Sequence, residues 1–340
     1  MVSFERGNLR APELLGDFWF NTDPITLWEV RGNVVLIEFW DYSSTNCQRT
    51  RHYMKEWYSR YRDFDLVVIG VHTPRFRFGR NPENIESNLK REGIPYPVVM
   101  DNDALIWAAY SARMWPTRYL VDRDGFLRFT HQGEGAYEQF DRAIQSLLIE
   151  AGYHGLFPDS VEPIRLTDHT GAVCYRPTPE VELGYMKGTI GNPEGYGPES
   201  TMLYDDQGFH LRGRVYLKGK WFNERDGMRF EGDAGEEGRV TLAYEALEVT
   251  SVMGVEDRRS SRVCVLQDNK PLVRSAAGGD IQFDDQGKSF IDVGAPRLFS
   301  LVCNSEFGEH ELTLTTKSQG LELYSLSFVT GVIPELLPTN

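Results

Sequence analysis

The stretch Val34 to Thr50, VVLIEFWDYSSTNCQRT, decides the fold of this 340-residue chain. From Val34 to Trp40 every residue but Glu38 is apolar, with β-branched and aromatic side chains prominent, so the run reads as a central strand covered on both faces. A polar turn, Asp41 to Asn46, follows. Beyond it Tyr53, Trp57 and Tyr61 recur every four residues, with Met54 and Tyr58 beside them, which predicts an amphipathic helix from Gln48 to Phe64. Cys47 therefore stands where a helix opens. Unpaired backbone N–H groups at such a start favour a nearby anion, so a thiol of lowered pKa is expected there.

Working outward, Ala11 to Val30 reads as an arm with short strands, and Leu66 to Val71 as a second buried strand. Asn81 caps a helix with Pro82 at its first position and Gly93 past its end. Pro97 to Met100 is a short strand, Ala104 to Tyr110 a short helix, and Thr117 to Thr130 a hairpin around Arg123-Asp124-Gly125. A last helix carries Phe140, Ile144, Leu147 and Leu148 on one face and ends at Gly152. This alternation is α/β.

After Gly155 the pattern changes. GLFPDSVEPIRLTD reads as a linker, and no helical period follows it. Short alternating runs replace it: Glu182 to Met186, Gly208 to Tyr216, Val240 to Val252, Arg262 to Leu266, Leu272 to Arg274, Ser289 to Val293, Leu298 to Cys303, Glu311 to Thr316 and Leu321 to Val329. Strands at that spacing predict an all-β jelly-roll sandwich over 155–340, behind an α/β domain over 1–154. Tryptophan usage also shifts, since six of the seven precede Pro116 and only Trp221 follows it.

Composition narrows the function. The net charge is −14, and 18 of the 36 basic but only 21 of the 50 acidic residues fall by Glu150, so the acidity lies mostly in the second half. Nucleic acid and anionic membranes need a basic footprint that this chain lacks. No apolar run reaches the ~18 residues of a membrane span, and MVSFERGNLRAPELLG has no apolar leader centre. The chain as written is expected to be cytoplasmic, or periplasmic or extracellular if an export segment has been trimmed. Four cysteines, at 47, 174, 264 and 303, are too dispersed for paired zinc ligands, so no metal or cofactor is expected. Cys264 and Cys303, in strand-like runs, are expected as buried free thiols.

A strand, the aromatic pair Phe39-Trp40, a four-residue motif ending in Cys47 and a helix together resemble the active-site region of the thioredoxin superfamily. That family carries C-x-x-C, whereas here Ser44 holds the attacking position and Cys47 the resolving one. Glu38 matches the family's buried carboxylate, which takes protons from the resolving thiol. Trp115-Pro116-Thr117 matches its cis-proline segment. VIGVHTPRF and the added strand and helix resemble the TlpA- and DipZ-type branch. TPEVELGY, GEHELTL and GLELYSLSF resemble the jelly roll, similar to carbohydrate-binding modules, that follows in DipZ-type proteins.

The resemblance implies a thiol-disulfide oxidoreductase acting on protein thiols or disulfides. Ser44 forms no disulfide, so the motif is either a natural loss or an engineered trap. Two other readings stay open. One is a binding protein whose jelly roll takes a glycan or a protein; Trp221, Tyr185, Tyr196 and Tyr204 are the candidate stacking residues. The other is a single-cysteine peroxidase, since Ser44-Thr45-Asn46-Cys47 fits the T/S-x-x-C of peroxiredoxins, although Trp40 stands where they carry proline. Trp40, Tyr42 and Trp115 are the expected substrate rim. His72 and His131 follow strands and are read as structural, with an approach to the site as the alternative, and Arg49 as polarising Cys47 or lying in solvent.

Overall fold

The computed structural model describes residues 9–336 except Asp17 and residues 257–259. Residues 1–8, half of the stretch read above for a leader, and 337–340 lie outside the described residues. The chain divides into two compact units, Met1–Thr170 and Gly171–Asn340. Among the described residues no helix is long and apolar enough to cross a membrane.

The first unit runs β1 (Trp19–Phe20), β2 (Val34–Trp40), α1 (Thr45–Tyr61), β3 (Leu66–His72), α2 (Pro82–Glu92), β4 (Val98–Met100), α3 (Leu105–Ala109), β5 (Thr117–Val121), β6 (Leu127–Gln132) and α4 (Tyr137–Glu150). Its sheet has the order β1-β4-β3-β2-β5-β6, with β2 parallel to β3 and antiparallel to β5. All seven β2 residues are buried, as the unbroken apolar run requires. Side chains alternate across the strand. Val34, Leu36 and Trp40 share a core with α1 and α4, while Val35, Ile37 and Phe39 pack on the α3 side. The same alternation turns Glu38 toward α1 and α4.

Helix α1 starts at Thr45, capped by Ser44 and three residues before the expected Gln48, and runs into a 3-10 turn that ends at Phe64. It buries Cys47, Tyr53, Met54, Trp57 and Tyr61; each of the large apolar side chains contributes about 1.5–3 kcal/mol by leaving water. Helix α2 matches its sequence signals. Asn81 accepts the Glu83 N–H at 2.9 Å, Pro82 opens the helix, and Gly93 closes it at φ 58°, a conformation that glycine adopts without a Cβ clash.

The segment read as a linker belongs to the first unit, and the unit boundary falls after Thr170 rather than 154. It is held to α1 and its neighbours. Tyr53 stacks on Tyr137 with ring centroids 3.6 Å apart, donates to Asp168 Oδ2 at 2.7 Å and accepts the Ile164 N–H at 3.0 Å. Arg49 Nη2 donates to Thr167 Oγ1 at 2.8 Å.

The second unit is mostly β: β7 (Val181–Glu182), β8 (Thr201–Tyr204), β9 (Tyr216–Asn223), β10 (Met228–Phe230), β11 (Gly238–Val255), β12 (Ser261–Gln267), β13 (Lys270–Pro271), β14 (Gln282–Phe283), β15 (Ser289–Val293), β16 (Arg297–Thr316) and β17 (Leu321–Val329). The two runs expected at Leu298–Cys303 and Glu311–Thr316 are one 20-residue strand. Its partner β11, 18 residues long, breaks register between Ala246 and Glu248 and between Val249 and Thr250. Either side of these irregularities β11 changes its second neighbour, β9 at Arg239 to Thr241 and β17 from Glu248 onward. Since β9 also pairs with β10, and β10 with β17, the four strands close a circuit. Three expected runs are mostly not strand: Glu182 to Met186 keeps only Glu182 in β7, Gly208 to Tyr216 keeps only Tyr216 in β9, and Leu272 to Arg274 leads into a 3-10 turn. Cys264 is half-buried and Cys303 exposed, which corrects the expectation of two buried thiols; both are free.

Candidate active site around Ser44 and Cys47

The turn before α1 is tied to Asp41. One carboxylate oxygen accepts from Ser43 N at 2.6 Å and from the Ser43 hydroxyl, and the other accepts from Arg75 N at 2.9 Å. The backbone of Ser44 then bends into the helix, and its Oγ accepts the Cys47 N–H at 3.4 Å. Ser44 therefore acts as an N-cap, a role for which serine is among the favoured residues. Of residues 41 to 47 only Asn46 is exposed, while Ser44 keeps 4% and Cys47 2% of its surface.

That burial overturns the expected low thiol pKa. The helix start does favour thiolate, but burial first and the Glu38 carboxyl second push the Cys47 thiol up. Thiol-specific labelling of the native protein should therefore reach exposed Cys303 at least about tenfold faster than Cys47, because the reactive species is the accessible thiolate. Peptide mapping after brief alkylation checks this; equal labelling would mean that the Cys47 sulfur is reachable.

Glu38 lies on the same face, 2% exposed, and its Oε1 has no hydrogen-bond partner among the described residues. Burial pushes its carboxyl up to about 8, against the opposing pull of Arg118 and Arg51. Arg118 is its direct partner across the β2–β5 ladder and has no exposed surface. The guanidinium lies 4.9 Å from the Phe140 centroid, 5.2 Å from Tyr137 and 5.7 Å from Trp57, and donates to Gly135 O at 2.6 Å. Nothing in the local sequence marked this buried cation. The signal was available only through strand register, since Arg118 follows Pro116 by two and β5 runs antiparallel to β2.

The peptide bond Trp115–Pro116 is cis, and Pro116 is buried. Of the expected rim only Trp115 reaches the surface, half-buried, with its Nε1 donating to Thr73 O at 3.0 Å. Trp40 and Tyr42, each 2% exposed, are core residues packed on His72, edge-on at 5.3 Å and stacked at 5.4 Å. The strand alternation that buries Glu38 also buries Trp40. His72 is buried with Nε2 3.6 Å from Asp41 Oδ2, and burial holds its pKa down. His131 is bound to Glu134 O at 3.0 Å. Arg49, 6% exposed, is not in solvent: its Nε donates to Glu134 Oε1 at 2.5 Å, tying the α1 start to the residues after β6.

In the second unit Trp221 is 1% exposed, packs on Phe230 and donates to Lys218 O at 2.9 Å, so neither ring face is free to stack on a sugar. Tyr204 is likewise buried and bonded to Asn223 Oδ1. Tyr196 is half-buried against the core. Tyr185 is half-buried, with its hydroxyl donating to Glu199 at 2.9 Å.

Comparison with known proteins matches residues 10–130 to the AhpC/TSA family and residues 178–328 to a thioredoxin-like C-terminal domain family. Protein DipZ of Mycobacterium bovis and of Mycobacterium tuberculosis is 33% identical over 324 residues, which is 94% of this chain and 42% of theirs. The chain thus spans less than half the length of these relatives. Thiol-disulfide oxidoreductase YkuV of Bacillus subtilis is 26% identical over 41% of this chain and 94% of its own length. A crystal structure of a thioredoxin-like superfamily protein, 26% identical, superposes over 44% of this chain and 99% of its own with a TM-score of 0.40.

Proposed function

The chain belongs to the thioredoxin superfamily, and from that premise we propose a thiol-disulfide oxidoreductase-like protein that engages protein thiols or disulfides at its 44–47 turn without cycling them. One observation carries the reading. The attacking position holds a hydroxyl that caps the helix, while the resolving position keeps its thiol beside the Glu38 carboxyl. Exchange needs one thiolate to open the disulfide and a second to displace the resulting mixed disulfide. Where a client reaches its buried sulfur, Cys47 alone would form the mixed disulfide, release one thiol and stop.

The test is insulin reduction by dithiothreitol, comparing the protein with Ser44→Cys. The variant should raise the rate at least about tenfold over the dithiothreitol background, and the serine form should add nothing. If neither form turns over, the pocket lacks more than its nucleophile and the oxidoreductase reading falls. If the serine form turns over, single-thiol exchange suffices and Ser44 is not the block.

A peroxidase reading draws support from the AhpC/TSA match. It requires an accessible thiolate, and the burial of Cys47 weighs against it. For the second unit we read a jelly-roll-type sandwich serving as a binding module for a glycan or a protein. The antiparallel ladder and the register breaks between β11 and β16 support it.

A further inference from the structure

Opposite its apolar core the second unit carries a polar cleft that the thiol chemistry does not use. Register aligns Lys218 of β9 with Arg239 of β11, and Thr241 and Ala243 of β11 with Thr313 and Glu311 of β16. Leu217, Val240, Leu242, Leu312 and Leu314 fill the core, so strand alternation turns Lys218, Arg239, Thr241, Glu311 and Thr313 to the other face.

The segment Asp205 to Arg214 folds back over that face and is pinned there. Leu211 N donates to the Tyr216 hydroxyl at 3.0 Å and Gly213 N to Ala243 O at 3.0 Å. His210 stands between two carboxylates, with Nε2 2.9 Å from Asp206 Oδ1 and Nδ1 2.7 Å from Glu311 Oε2, and its ring lies 4.8 Å from that of Tyr216. The cleft, half open to solvent, has a volume of about 410 Å³, within the range of small-ligand sites.

The clamp decides the charge of the cleft. Against the downward pull of burial, these carboxylates hold His210 above its ordinary pKa, so its imidazolium offsets one of the two negative charges. Lys218 and Arg239 outnumber the one that remains. Arg239 meets Glu237 at 3.2 Å, but both side chains are over 40% exposed, and such a pair contributes little. The Thr241 and Thr313 side chains, 2% and 3% exposed, line the cleft and make no hydrogen bond among the described residues. Asn269 completes the lining.

We propose that this cleft binds a small hydroxylated carboxylate of sugar-acid type, its carboxylate held by Lys218 and Arg239 and its hydroxyls by Thr241, Thr313 and Asn269. The proposal rests on reading the second unit as a binding module. It gives that module a polar, cation-flanked site in place of an aromatic platform.

The experiment is calorimetric titration of the full chain with sodium glucuronate at constant ionic strength, beside glucose, sodium acetate and inorganic phosphate. Lys218→Met/Arg239→Met is the variant, and both positions are exposed, so folding should survive. Saturable glucuronate binding at least about tenfold tighter than that of the three controls, and weakened at least tenfold in the variant, is the expected result; tenfold corresponds to about 1.4 kcal/mol. Glucose binding as tightly, or phosphate or acetate as tightly, overturns it, because cation or hydroxyl recognition is then missing. No saturable glucuronate binding at all also overturns it. Sugar binding that ignores the variant leaves the module reading standing and removes this cleft from it.

Discussion

Arg118→Met should cost the first unit about 2–5 kcal/mol, from the lost packing of a fully buried side chain and two carbonyls left without its donors. The side chain has no exposed surface, lies among three aromatic rings and gives hydrogen bonds to the carbonyls of Gly133 and Gly135, which the substitution would leave short of donors. It also faces Glu38 across the ladder. With its carboxyl already raised to about 8, Glu38 is mostly protonated at neutral pH, and without the cation it moves further up. The double variant Glu38→Gln/Arg118→Met should then be less destabilised than the sum of its parts, the sign of a coupled pair. Urea unfolding followed by circular dichroism measures this, and a loss under about 1 kcal/mol would mean that the guanidinium is only incidental there.

The pH dependence has a definite sign. In the folded protein the Glu38 carboxyl is raised to about 8, above the ~4.3 of a free glutamate. Its contribution to stability is whole below pH ~4 and is lost as pH rises through about 8. Glu38→Gln should therefore flatten the fall in stability between about pH 5 and 8. A curve unchanged by the substitution would place the titration elsewhere.

Trp221→Ala is the second large effect, at about 3–5 kcal/mol in the other unit, since it opens a cavity in a close-packed core. An exposed sugar-stacking tryptophan would behave in the opposite way. Its removal would leave stability within about 0.5 kcal/mol and abolish binding. Thermal and urea denaturation of the variant discriminate between the two.

The sequence was most legible where the determining chemistry is local. Strand β2 and helix α2 can be read from a few neighbouring residues, an apolar run in one case and Asn81, Pro82 and Gly93 in the other. Features set by distant partners were hidden. Pro158 and Pro163 suggested a linker because nothing near them reveals that Arg49 reaches Thr167 or that Tyr53 reaches Asp168. Cys47 is the instructive case: its position at a helix start was legible, but its reactivity depends on burial and on the Glu38 carboxyl of β2. Trp40, Tyr42 and Trp221 show the same limit, because an aromatic near a strand end looks alike whether it faces solvent or core.

The pairing of β11 with β16 also bears on how the chain is made. Gly238 finds its partner in Thr316 and Met253 in Arg297, with β12 to β15 lying between them in sequence. At roughly 5–20 residues per second a ribosome would hold β11, beyond its three-residue ladder with β9, unpaired for several seconds before β16 emerges, Leu242 and Tyr244 included. The first unit has all of its strands by then and can already be folded. The second must wait for nearly its last residues, so the newly made chain is most exposed to aggregation in the interval between β11 and β16.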